Sequence, residues 1–76
     1  MDDINKKIGY EMRTQRLLRR MTLDQVAEKM GKTKNSISLL ELGVTKITVV
    51  DLKNFCEAVG CSWVELLERV ANSYNK

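Results

Sequence analysis

The side chains able to do covalent or metal chemistry are few in this chain. It contains no histidine, and its two cysteines, Cys56 and Cys61, lack the further ligands that would complete a metal site or a nucleophile–base pair. Its four glycines stand far apart and make no phosphate-cradling loop. The expectation is a protein that is not an enzyme and needs no metal or cofactor, its cysteines serving as small apolar side chains in a reducing compartment. What remains is the chemistry of recognition. Between Lys32 and Lys46 lie Thr33, Lys34, Asn35, Ser38 and Leu39. The lysines suit phosphates, the amide of Asn35 can pair in bidentate fashion with adenine, and Leu39 suits a thymine methyl.

A helix from Lys34 to about Leu42, capped by Thr33 and stopped by Gly43, would hold these groups together. At about 100° per residue, Ile37, Leu40 and Glu41 fall within roughly 100° of one another and face inward, whereas Asn35, Ser38, Leu39 and Leu42 face out. That outward face is short-chained and largely uncharged. It suits entry into a major groove better than exposure to water, where Lys and Glu would be expected. A preceding helix, Leu23 to Met30, opens on Thr22 with Gln25 in capping-box register and stops at Gly31. A short helix, a turn carrying glycine and a second short helix make a helix-turn-helix over about 22–43. Small Ala27 lets the two helices approach, and Ile37 and Leu40 lock the second onto the core.

The rest of the chain must carry this unit. A first helix is expected from Ile4 to Arg20, with Asp2 and Asp3 at its N-terminus, Arg19 and Arg20 at its C-terminus, and a core stripe of Ile4, Ile8 and Met12. Arg16 lies about 80° from Ile8, at the edge of that stripe, and needs a partner inside. Ion pairing with Glu41 meets that need. Thr48 opens a helix from Val49 to Val59, stopped by Gly60, and Ser62 with Glu65 opens another from Trp63 to about Ala71. A polar tail, 72–76, is expected to fray. The reading is all-α: five helices in one domain over 1–76. Tyr10, Leu17 and Met21 form a second stripe on the first helix, covered either by the C-terminal helix or by a protein partner.

Composition agrees with a small folded domain. The 76 residues are 43% hydrophobic and 30% charged, with a net charge of +3. Residues 1–47 carry ten basic against six acidic side chains, while 48–76 carry three against four, so the basic surface belongs to the first part and is compatible with a polyanion. The apolar run Ile47 to Val50 is far short of the roughly 18 residues that would span a bilayer, and Met-Asp-Asp does not open a signal peptide. A cytoplasmic protein without membrane contact is expected.

Three segments, Met12-Arg13-x-x-Arg16, Met21 to Gly31 and Ser36 to Gly43, together with Ala58 to Ser62 and Glu65-Leu66-Leu67, resemble the Cro/lambda-repressor-like (Xre) helix-turn-helix family. The resemblance covers about residues 8–67. It implies a five-helix, sequence-specific DNA-binding fold of bacteria and phages that acts as a homodimer on double-stranded DNA to regulate transcription, usually by repression. It implies base contacts from Lys34, Asn35, Ser38 and Leu39, phosphate contacts from Lys32, Thr33, Arg13 and Lys46, and an internal ion pair of Arg16 with Glu41. Leu23 departs from the family, standing where many members carry a phosphate-contacting glutamine, and Leu39 and Leu42 are less polar than is frequent there. For the dimer interface, Val70 and Tyr74 at i and i+4 near the C-terminus are the first candidates and the Tyr10 stripe the second. The rival reading is a protein-binding adaptor or antirepressor that keeps the fold without base readout. An antitoxin or a restriction-modification controller fits the sequence equally well.

Overall fold

The computed structural model describes residues 3–74, which form five helices: α1 (Ile4–Leu18), α2 (Leu23–Met30), α3 (Lys34–Leu42), α4 (Val49–Val59) and α5 (Trp63–Asn72). Each begins where a short polar side chain accepts from an amide of the first turn: Asp3, Thr22, Thr33, Thr48 and Ser62. Thr22–Gln25 and Thr48–Asp51 close reciprocal capping boxes. At α5 the box is half made. Ser62 Oγ accepts from the Glu65 amide at 3.2 Å, and the Glu65 side chain makes no return bond.

The core is continuous. Met12 from α1, Val26 from α2, Ile37 from α3, Phe55 and Cys56 from α4 and Leu66 from α5 are all fully buried. The helix α1 packs on α3, α4 and α5, and α2 packs on α3 and α4, so α3 is held from two sides.

Two expectations need correction. The first helix ends at Leu18, because Arg20 adopts a left-handed conformation (φ 55°) and the amide of Met21 turns back onto the Arg16 carbonyl at 3.1 Å. Ile4 is exposed, since at that end contact with the body is made by Asn5 instead. The residues just after α5 make contacts with the body: Ser73 Oγ donates to the Val70 carbonyl (2.7 Å) and accepts from Lys7 Nζ (3.2 Å), while Lys7 Nζ sits 4.0 Å from the Tyr74 ring centroid. The remaining tail residues Asn75 and Lys76, and the expected helix-starting Asp2, lie outside the described residues.

Candidate nucleic-acid interface

The placement of α3 starts with glycine. A Cβ on Gly9 of α1 would lie 2.5 Å from the Leu40 carbonyl oxygen and 2.7 Å from that of Glu41, so only a bare backbone lets α1 cross the C-terminal end of α3 this closely. Beside that crossing, Arg16 reaches across. Its Nε donates to Glu41 Oε2 (2.7 Å), its Nη2 to Glu41 Oε1 (3.0 Å) and its Nη1 to the Met21 carbonyl (2.8 Å). The two side chains are 8% and 4% exposed. This fork-on-fork pair fastens α1 and the turn into α2 to the last turn of α3.

A second tie holds the chain that leaves α3. Gly43 ends the helix at φ 71°, and a side chain there would meet the Lys6 Cα at 2.6 Å. From α1, Asn5 Nδ2 donates to the carbonyls of Gly43 (3.1 Å) and Thr45 (2.8 Å), and its Oδ1 accepts from the Ile47 amide (2.9 Å). One side chain thus fixes the segment that carries Lys46. Neither Gly9 nor Asn5 stood out in the sequence, since nothing local distinguishes an asparagine that ties a distant loop from one on the surface.

With its inner face locked by Ile37, Leu40 and Glu41, α3 presents its first turn to solvent. Lys34 and Asn35 are exposed there, next to exposed Lys32 and to Thr33, whose hydroxyl caps the helix on the Ser36 amide (3.1 Å). Ser38 and Leu39 are half-buried, not fully outward as the helical wheel implied, and beside Leu39 the chain after Gly43 folds back. There the Val44 amide donates to the Leu39 carbonyl at 3.3 Å. Leu39 shares a groove with Lys32, Ser36, Thr45, Lys46 and Asp51, which brings two of the expected phosphate-binding lysines to one side of the helix. Arg13 is exposed on α1.

The other expected surfaces divide. Val70 is 3% exposed and belongs to the core, whereas Tyr74 stacks with Lys7 on the outside. The two do not form one outer face, because the end of α5 turns Val70 inward and the chain leaves the helix at Ser73. Tyr10 and Leu17 are exposed and left uncovered by α5, while Met21 packs against the core. No helix among the described residues is long and apolar enough to cross a membrane.

Five helices, a two-helix unit joined through Gly31, and a second helix pinned from behind with its first turn bare define a helix-turn-helix protein. A helix-turn-helix family model matches residues 12–66, and the chain belongs to that family, the Xre/lambda-repressor-like helix-turn-helix, a class of DNA-binding transcription regulators. Among solved structures it is similar to the clp gene regulator ClgR from Corynebacterium glutamicum, at 26% identity and a TM-score of 0.89 over 96% of this chain and 95% of that one. It shares the fold of a point mutant of the restriction-modification controller protein C.Esp1396I, at 22% identity and a TM-score of 0.86 over 96% and 97% of the two chains. No curated protein sequence matches it.

Proposed function

We propose that the protein is a sequence-specific repressor that binds double-stranded DNA as a homodimer, laying α3 in the major groove. Lys34 and Asn35 meet base edges first, Ser38 and Leu39 follow one turn later, and Lys32, Thr33, Arg13 and Lys46 hold phosphates. The observation that carries this reading is the asymmetry of α3: its C-terminal end is clamped by Arg16, Glu41 and Gly9, while its N-terminal turn exposes Lys34 and Asn35, with Lys32 exposed just before it. One such helix covers only a few base pairs. A two-fold dimer sets two of them about 34 Å apart on one face of B-DNA. With Val70 in the core, the dimer surface is drawn from the exposed Tyr10, Leu17 and Tyr74.

A protein-binding role has one observation in its favour, the exposure of Leu42, Val44, Val49 and Val50 along the exit from α3. Selection of bound duplexes from random sequence, followed by a salt titration, separates the two. The DNA reading requires an enriched half-site pair and a log–log salt slope near −0.9 per phosphate contact. Recovery of no preferred sequence and a flat salt response would leave the protein-binding role.

A further inference from the structure

The three glycine-capped helices close alike, the amide two residues past the last helical residue reaching back five positions: Lys32 to the Ala27 carbonyl (2.9 Å), Val44 to Leu39 (3.3 Å) and Cys61 to Cys56 (2.9 Å). This closure brings the side chains of its first and last residues into contact, which in most proteins is an apolar touch. At the end of α4 both residues are cysteines. Both thiols are free and leave the same closed turn, Cys56 fully buried and Cys61 half-buried. A cation stands beside this turn. Arg19, held by Gln15 through Nη1 (2.7 Å to Oε1 and 3.3 Å to the carbonyl), places its Nε 4.0 Å from where a side chain on Gly60 would begin. A partly exposed thiol beside a guanidinium and next to a second thiol is the setting in which cysteine oxidation is selective.

We propose that Cys56 and Cys61 form a redox-modification site at which a hydroperoxide drives an intramolecular disulfide. Cys61, the accessible partner, attacks the terminal peroxide oxygen. The O–O bond breaks, an S–O bond forms, and the alcohol or water leaves with the thiol proton, giving a sulfenic acid. Cys56 sulfur then displaces hydroxide from Cys61 sulfur. That hydroxide departs as water with the Cys56 proton, so two thiols have lost two electrons and the peroxide has gained them. Burial and the neighbouring Cys61 push the Cys56 thiol up to about 12, so the second step is the slow one and quickens as pH rises. The new bond would join two residues that the backbone already ties together, the Cys61 amide donating to the Cys56 carbonyl at 2.9 Å.

The test is to expose the protein to hydrogen peroxide, with far-UV circular dichroism confirming that it stays folded, and to read intact mass and peptide maps without reductant. The expected result is loss of both thiols together, a mass lower by two hydrogens, a Cys56–Cys61 cross-link within one chain, and full reversal by dithiothreitol. Cys61→Ser, at the half-buried position, is expected to keep the Cys56 thiol intact over the same exposure. The proposal is overturned if Cys61 proceeds to sulfinic or sulfonic acid while Cys56 stays reduced, if cross-links form only between chains, or if Cys56 in the Cys61→Ser protein oxidises at the wild-type rate.

Discussion

Arg16→Ala is the substitution whose consequence follows most directly from the coordinates. It removes the donors at 2.7 and 3.0 Å from both oxygens of Glu41 and leaves a carboxylate 4% exposed with neither partner, and it also strands the Met21 carbonyl. Breaking a buried, hydrogen-bonded pair from one side costs about 3–5 kcal/mol, several times the ~1 kcal/mol ceiling of an exposed pair such as Lys53–Glu57. A domain of this length has a total stability of roughly 4–11 kcal/mol. The loss therefore consumes a large share of it. With about 4–8 °C in Tm per kcal/mol for a domain of 60–100 residues, the thermal midpoint should fall by at least about 12 °C. Urea unfolding read by circular dichroism, with Tm alongside, measures both. Arg16→Lys should recover little, because an ammonium cannot form the fork. Replacing both partners by apolar residues of similar volume, Arg16→Met with Glu41→Leu, should recover most of the loss, since no buried charge is then unpaired. If Arg16→Ala unfolds within a few tenths of a kcal/mol of wild type, the pair is not a structural clamp and the reasoning fails.

Other consequences are equally concrete. Gly9→Ala puts a methyl 2.5 Å from a backbone oxygen that cannot yield, so α1 and α3 must separate at a cost of about 1–3 kcal/mol or more; an unchanged urea midpoint would show the crossing to be looser than described. Asn5→Ala deletes three hydrogen bonds to residues 43–47, at roughly 1 kcal/mol for each, and should weaken DNA binding beyond the loss of stability by releasing Lys46; equal affinity per folded molecule would contradict that link. Cys56 is raised by burial, and by Cys61, from its ordinary value of 9.0 to about 12. Between these pH values the unfolded chain gives up this proton before the folded one does, so stability is full below about pH 9 and declines toward pH 12. Cys56→Ala, assayed by urea midpoint against pH, should flatten that decline. On the DNA side, Asn35→Ala should erase preference at one base pair, costing about 1–3 kcal/mol on the preferred site, while Lys32→Ala should weaken all sequences alike and lower the salt slope by about one, both read from binding isotherms.

The elements were legible because this chain marks them with local signals. Thr22, Thr33, Thr48 and Ser62 at the starts and Gly31, Gly43 and Gly60 at the ends are read one at a time, and four helices begin and end within a residue of where those marks put them. The first helix was overrun for the same reason: its C-terminus has no glycine, and a left-handed arginine is not foreseeable from composition. Helical spacing placed Ile37, Leu40 and Glu41 inside and Arg16 near them. It could not place Val70, because whether an apolar residue late in a helix turns inward depends on how that helix meets α1. Gly9 and Asn5 were invisible for a related reason, each acting on residues more than thirty positions away.

The distribution of these contacts explains how so small a domain can hold α3 in place. A nine-residue helix in isolation is marginal, since helices shorter than about 12–15 residues rarely persist in water. Tertiary contacts must hold it, and here they gather at one end: Arg16 and Gly9 act on residues 40–41 and Asn5 on residues 43–47. The opposite end has only the Thr33 cap and the close helix α2 behind it. A helix anchored at its C-terminus keeps its axis fixed while Lys34 and Asn35 stay exposed at its N-terminus, where under the proposed function they meet the bases. Loosening the anchor should then spread the direction of the whole helix and blur recognition at every base position together, whereas altering Asn35 changes one.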